Sequence, residues 1–515
     1  MKILKRNYSL LNVAPYLTLV LVMGFQLSRS RIDMWDGTII SYAAKTGDFE
    51  GIKHWFFDSN YQIQYFLIRL EAGIAEFLGI SFHVFNILII LFALCVVISQ
   101  TKVLAREIFG LSREFSIFAA CLVTVMPVWN TLVSSVLTYH VLALGFGLFG
   151  FKLLLDKSKT VNVCGLLFCG FSFQLNSMLV FLPSLALMAF LTRAETENKK
   201  IRLQHTGILL VSGTLYFILI RIFHPPTGEY VGYNGFINPF NLDGFTTSLI
   251  NIKAFLTFLV IPILVLLMFA PLIISRNKSQ LKDRIFSIAQ NKRNHMLIAL
   301  MIFSVFPYLA VGKCASIRDF TDWSGRQGFT LVVPLAIFTA SMLETFFSSK
   351  DTAVVTTDKW LVFTAFFSLI IISSILMLGL ATKINRQDFE LDLRSELTKM
   401  LAEPAPGTLQ IIGDGIPGPF FREYESNFLL FETYGKIVWW SRISNNFDES
   451  FKIPALISKS VPASTSLFEK SPLNCRTSIR IDAVGYVGSL DALRNFFKLP
   501  NERQVKILSI EDSCK

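Results

Sequence analysis

Charge is what this chain has least of. Only 17% of its 515 residues are Asp, Glu, Lys or Arg, against 52% hydrophobic residues and 49 phenylalanines. That balance excludes an ordinary soluble protein, and the length excludes one buried core. Cysteine is scarce too: there are seven, without the spacing of metal ligands. No Walker motif, HExxH or GxSxG occurs, and no cytoplasmic catalytic domain stands apart from the apolar runs. No internal repeat is evident, although a transporter built from duplicated halves would show one.

What the chain has instead is apolar runs of about 17–25 residues, the length that crosses a bilayer as helix. They recur over roughly the first 380 residues. The expected fold class is therefore an all-α polytopic membrane protein with a small C-terminal α/β domain. The net charge of +11 does not point to nucleic acid. Its basic residues sit in short loops between apolar spans: Lys2, Lys5 and Arg6; Lys102, Arg106 and Arg113; Lys152, Lys157 and Lys159; Arg193, Lys199, Lys200 and Arg202; and Arg276 to Arg293. This is the positive-inside pattern, and it puts the N-terminus in the cytoplasm.

The expected spans run from about Leu11 to Leu27, Phe82 to Gln100, Phe115 to Ser134, Val136 to Leu155, Gly207 to Phe223, Phe255 to Ile274, Met296 to Val311, Phe329 to Phe346 and Trp360 to Ala381. Residues 162–191 are too long for one crossing, and Ser172, Gln174, Asn176 and Ser177 interrupt them. Both flanks are basic, so the segment goes out and returns as two short helices or a re-entrant hairpin. Irregular backbone at membrane depth must be buried in protein or line a cavity, which points Gln174 and Asn176 inward; interhelical hydrogen bonding is the blander role. The hairpin counts as two, so about eleven crossings leave the C-terminus outside. The chain then divides into a membrane domain, 1–383, and an outer soluble domain, 384–515. In the latter, Asp388 to Leu401 reads as helix, and Thr408 to Ile412 and Ile437 to Trp440 as strands. Cys475 and Cys514 share that compartment and are candidates to pair.

Ionisable and polar residues gather on the outer side. The first outer loop, 29–80, opens with Arg31-Ile32-Asp33-Met34-Trp35-Asp36-Gly37 and continues as surface helices, Thr38 to Thr46 and Tyr61 to Phe77. A carboxylate at the membrane edge is there to be solvated or to act. We read Asp36 as a general base and Asp33 as its rival; the competing reading is that both merely cap the first surface helix. Trp35 would shield Asp36 from water. A later loop supplies Arg318, Asp319, Asp322, Trp323 and Arg326. Acid on one loop and arginine on another suits transfer from a phosphate-linked donor, with Arg326 and Arg318 gripping the phosphate. A salt bridge to Asp319 or Asp322 is the plainer role for either arginine. Trp55, Tyr61, Gln64, Asp322 and Trp323 complete the substrate-binding candidates, although an interfacial aromatic belt accounts nearly as well for the rings.

Asp36-Gly37 followed by Tyr42-Ala43-Ala44 and Gly47-Asp48-Phe49 resembles the first outer loop of GT-C class membrane glycosyltransferases. The whole-chain topology is similar to that of phage-borne, serotype-converting O-antigen glucosyltransferases. That resemblance implies an undecaprenyl-phosphate-linked sugar, glucose first among them, as donor. The acceptor would be O-antigen or a similar lipid-linked glycan at the periplasmic face of a bacterial inner membrane. Transfer would be inverting, with neither metal nor cofactor. A small flippase and a polyprenyl-phosphate glucosyltransferase would be its functional partners. One departure stands out: many members carry a second acidic residue beside the first, where this chain has Gly37. An O-antigen polymerase and a flippase or transporter are the alternative readings.

Overall fold

The computed structural model describes residues 12–193, 197–227, 240–277, 281–313, 324–347, 359–400, 408–417, 423–434, 440–444, 476–499 and 503–512. Among these, eight helices are long and apolar enough to cross a bilayer, from Phe82–Ile108 to Trp360–Met400. Three shorter apolar helices, Asn12–Gly24, Lys159–Ser172 and Asn176–Thr192, accompany them. The protein is thus a helical, polytopic membrane protein. The segment 162–191 forms two helices joined through a tight turn, where Gln174 and Leu175 amides bond back to Phe171 and Ser172 carbonyls.

Several elements differ from the sequence expectation. The run 115–155 forms two apolar spans, Arg113–Thr131 and Ser135–Leu154, separated by three residues, but neither is regular α-helix throughout. Helix stops at Thr124, and short 3-10 turns at Pro127–Thr131 and Ser135–Leu137 carry the chain to the helix Thr138–Leu154. This irregular stretch is wholly buried, as non-helical backbone must be at membrane depth. Its Trp129 is fully enclosed and donates its indole N–H to the Val123 carbonyl, 2.6 Å away. The first outer loop holds three helices, with Phe49–Asp58 between Gly37–Thr46 and Gln62–Phe77.

The last span does not end at Ala381. One helix of 42 residues, Lys359–Met400, runs on without a break. Its Gly379 passes so close to Asn130 of the irregular stretch that a β-carbon there would lie 2.7 Å from the amide nitrogen. Beyond the apolar part this helix buries a polar face of Lys383, Asn385, Arg386, Gln387, Asp388 and Glu390. Its Phe389, Leu393 and Leu397 belong to a second hydrophobic core, shared with the C-terminal sheet.

That sheet has four strands: β1 (Thr408–Asp414), β2 (Trp440–Ser444), β3 (Arg476–Val484) and β4 (Gln504–Asp512), in the order β2-β1-β3-β4. β1 is parallel to β2 and β3, and β4 is antiparallel to β3. A helix, Glu423–Tyr434, joins β1 to β2 and packs against both the sheet and the membrane domain. Its Leu429 and Leu430 lie in the second core and its Phe428 in the first. Asp388 to Met400, within the segment expected as helix, is the end of the long one, and Leu401 lies outside the described residues. Cys475 and Cys514 lie outside the described residues.

The two ends of the bundle differ in kind. One end carries exposed or half-buried ion pairs among the basic connections, such as Lys152 with Glu107 and Arg293 with Glu344. The other end carries the first outer loop, the irregular stretch 125–137, the 173–175 turn and the C-terminal domain.

Candidate functional site

Asp33 is the most tightly held carboxylate at that end. Its side chain has no exposed surface. Oδ1 accepts the N–H groups of Met34 and Ser135, each at 3.0 Å, and Oδ2 accepts the Ser41 hydroxyl at 2.7 Å. His83 Nδ1 stands 3.9 Å from Oδ2, while His83 Nε2 is 2.9 Å from the Ser30 hydroxyl. The Ser134 hydroxyl donates to the Met34 carbonyl at 2.7 Å. Asp33 therefore ties three pieces of chain together: its own loop, the first surface helix through Ser41, and the irregular stretch through Ser135. A carboxylate so saturated with donors is an anchor.

Gly37 owes its identity to that anchor. A β-carbon at position 37 would lie 2.0 Å from Asp33 Oδ1 and 2.6 Å from the Ser134 hydroxyl. Position 37 is sterically closed to a side chain here. Gly37→Ala should lower the thermal unfolding midpoint in detergent, since overpacking a filled site costs about 1–3 kcal/mol. An unchanged midpoint would contradict this packing.

Asp36 differs in every respect. It is the N-cap residue of the helix Gly37–Thr46, is half-buried, and makes no capping hydrogen bond with its side chain. Capping thus describes its backbone position and not its carboxylate. The residue before it, Trp35, has a left-handed backbone, φ 55°, a costly conformation for a bulky side chain. Several contacts hold it there. Its N–H donates to Glu425 Oε1 at 3.0 Å, and its carbonyl accepts the Thr38 hydroxyl at 2.8 Å. The guanidinium carbon of Arg326 lies 4.3 Å from the centre of its ring. Acid and arginine from loops almost 300 residues apart in sequence are thereby joined through one indole.

Arg326 sits on a short turn, Ser324–Gly328, at the start of the helix Phe329–Phe347. It interacts electrostatically with Tyr308 and His140. Tyr61 is within electrostatic reach of Tyr308, Tyr139 and Arg221, and Lys313 is within electrostatic reach of His140. Arg221 donates to the Gln174 carbonyl at 3.1 Å. Two arginines and a lysine thus lie within electrostatic reach of Tyr61, Tyr139, Tyr308 and His140. Among the described residues, no carboxylate pairs with Arg221. An ionisable group at the end of a membrane span marks a functional site by default. The sequence held that signal in Arg221, and the spans alone did not join it to Tyr61.

The remaining candidates divide. Tyr61 and Gln174 belong to the tyrosine and arginine cluster. Asn176 begins the helix Asn176–Arg193, and its buried side-chain oxygen has no hydrogen-bond partner. Gln64 is buried and structural: its amide donates to the Val136 carbonyl at 3.3 Å, bracing the irregular stretch. Trp55 is half-buried and its ring lies tilted against Phe56, with centroids 4.9 Å apart. His140 packs edge-on against Tyr139 and Phe329, as expected of a helix-packed histidine. Arg318, Asp319, Asp322 and Trp323 lie outside the described residues. Glu425 and Gln387 were not anticipated at all. No known protein family matches this chain, and no curated protein matches it either.

Proposed function

We propose that this protein is a GT-C type glycosyltransferase of a bacterial inner membrane, with its C-terminal domain in the periplasm. It moves a sugar, glucose first among them, from undecaprenyl phosphate to O-antigen or a similar lipid-linked glycan. Asp36 is the general base that takes the proton from the acceptor hydroxyl as that oxygen attacks the anomeric carbon. The bond from that carbon to the donor phosphate breaks on the opposite face, so the configuration inverts. Arg326 stabilises the departing phosphate, and Arg221 and Lys313 add positive charge to the same neighbourhood.

The observation that carries the reading is the stacking of Arg326 on Trp35, beside Asp36. The indole that carries the guanidinium is followed directly in sequence by a half-buried carboxylate, an acid and a cation of the kind that suits transfer from a lipid phosphate. Asp33 is left to a structural role, because three donors engage both its oxygens and its side chain has no exposed surface. The test is made in cells that synthesise the glycan. Expressing the protein with its donor-making partner should add one hexose to each glycan repeat, read by mass spectrometry. An unmodified glycan, with the protein present in the membrane and the lipid donor made, would count against the proposal.

A further inference from the structure

The first outer loop is held from behind by two side chains that belong to neither that loop nor the bundle beneath it. Gln387, on the long helix beyond its apolar part, is 1% exposed. Its carbonyl oxygen accepts the Arg31 N–H at 3.1 Å, and its amide donates to the Ile32 carbonyl at 2.6 Å and the Ser30 hydroxyl at 3.0 Å. It therefore reads three consecutive residues of the loop, as an extra strand would. Glu425, on the helix Glu423–Tyr434 of the C-terminal domain, accepts the Trp35 N–H at 3.0 Å. The same oxygen accepts from Arg386 at 2.7 Å. Arg386 is itself 3.7 Å from Glu390.

The domain helix that carries Glu425 is fastened to the first surface helix as well. Tyr42 and Phe431 meet edge to face at 4.8 Å, and Lys45 pairs with Glu432 at 2.5 Å. These contacts flank Asp36 on both sides in sequence. The left-handed Trp35 is the residue that most needs an external hold, since a bulky side chain does not keep that backbone unaided. Its N–H points to a carboxylate from a different domain. Trp35 in turn carries Arg326.

We propose that the C-terminal domain is a positioning element of the site, with Glu425 and Gln387 as positioning residues that fix Trp35, and through it the relative placement of Asp36 and Arg326. Neither touches substrate. The domain's docking and the geometry of the reacting groups are then one event, and undocking would switch the site off. The inference rests on the glycosyltransferase reading for its catalytic consequence, but the clamp itself does not.

The test uses the full-length protein with its seven native cysteines replaced and Ile32→Cys as a reporter for a membrane-impermeant maleimide. Glu425→Ala and Gln387→Met should each speed labelling several-fold, while Glu425→Gln, which keeps an acceptor for the Trp35 N–H and leaves Arg386 beside Glu390, should not. Without the reporter, transfer by the first two should fall about 10²-fold, the usual effect of misplacing reacting groups by an ångström. Glu425→Gln should stay near the natural rate, a rescue that bulk destabilisation would not give. Natural labelling rates in both Glu425→Ala and Gln387→Met, as monodisperse proteins, would overturn the clamp. Faster labelling with undiminished transfer would overturn the positioning role. If the natural protein transfers no sugar, the functional reading fails and the labelling arm still decides the clamp.

Discussion

Asp36→Asn should abolish sugar transfer while leaving the protein folded and at its normal level in the membrane. The substitution preserves shape, so the helix start at Gly37 is unchanged. It removes the half-buried carboxylate at the N-cap position, which makes no side-chain capping bond to that helix. General-base catalysis contributes on the order of 10²–10⁴ in rate, and a loss of that size is the expected result. Asp33 provides the contrast. Its carboxylate accepts two backbone N–H groups and one hydroxyl. Asp33→Asn keeps one acceptor oxygen for the two N–H groups, and the Ser41 hydroxyl can turn to accept from the new amide. Transfer should largely survive. Asp33→Ala strands buried donors at about 1–3 kcal/mol each and should reduce the amount of folded protein. Glycan modification measured at matched expression separates these outcomes. Full modification with Asp36→Asn and none with Asp33→Asn would move the base to Asp33.

Arg326→Ala should cost nearly as much, for a different reason. The guanidinium carbon lies 4.3 Å from the centre of the Trp35 ring, and a guanidinium's planar fork matches the oxygens of a phosphate. Arg326→Lys keeps the charge but loses both the stacking plane and the fork. It should therefore retain a small fraction of the transfer rate and bind donor less tightly. Arg326→Ala should retain almost nothing, with the apparent donor KM raised. The comparison is a rate titration against lipid donor for the three proteins. If Arg326→Ala transfers at the natural rate, the phosphate role is wrong, whatever Asp36 does.

Much of the bundle was legible because length and hydropathy determine spans directly. The helix Phe329–Phe347 falls almost where its apolar run predicts, and the turn in 162–191 falls at the polar interruption. The irregular stretch after Thr124 was not legible, because Val125-Met126-Pro127-Val128-Trp129 is as apolar as any helix. Only Pro127 hints that the ladder stops there. The long helix was cut short in the reading because hydropathy ends near Ala381, whereas helix persists until something breaks it. No residue between Ala381 and Met400 does.

The site divides similarly. Asp33, Asp36 and Arg326 are visible as ionisable residues at span ends. Which of two carboxylates three residues apart is anchored to the irregular stretch depends on Ser135 and Ser41, and no local pattern encodes that. Glu425 meets Trp35 across 390 residues of chain, through a domain whose strands carry no catalytic motif. Gly37 carried the most information and was read as a departure; its meaning appears only when a β-carbon is placed against Asp33.

The most direct measurement is transfer by the purified protein in proteoliposomes, with radiolabelled glucose supplied on undecaprenyl phosphate or as a nucleotide sugar, beside a lipid-linked glycan acceptor. The account predicts that label moves to the acceptor from the lipid donor alone, without added metal, and that Asp36→Asn stops it. Transfer from the nucleotide sugar, or no transfer from the lipid donor by a monodisperse and correctly inserted protein, would contradict it.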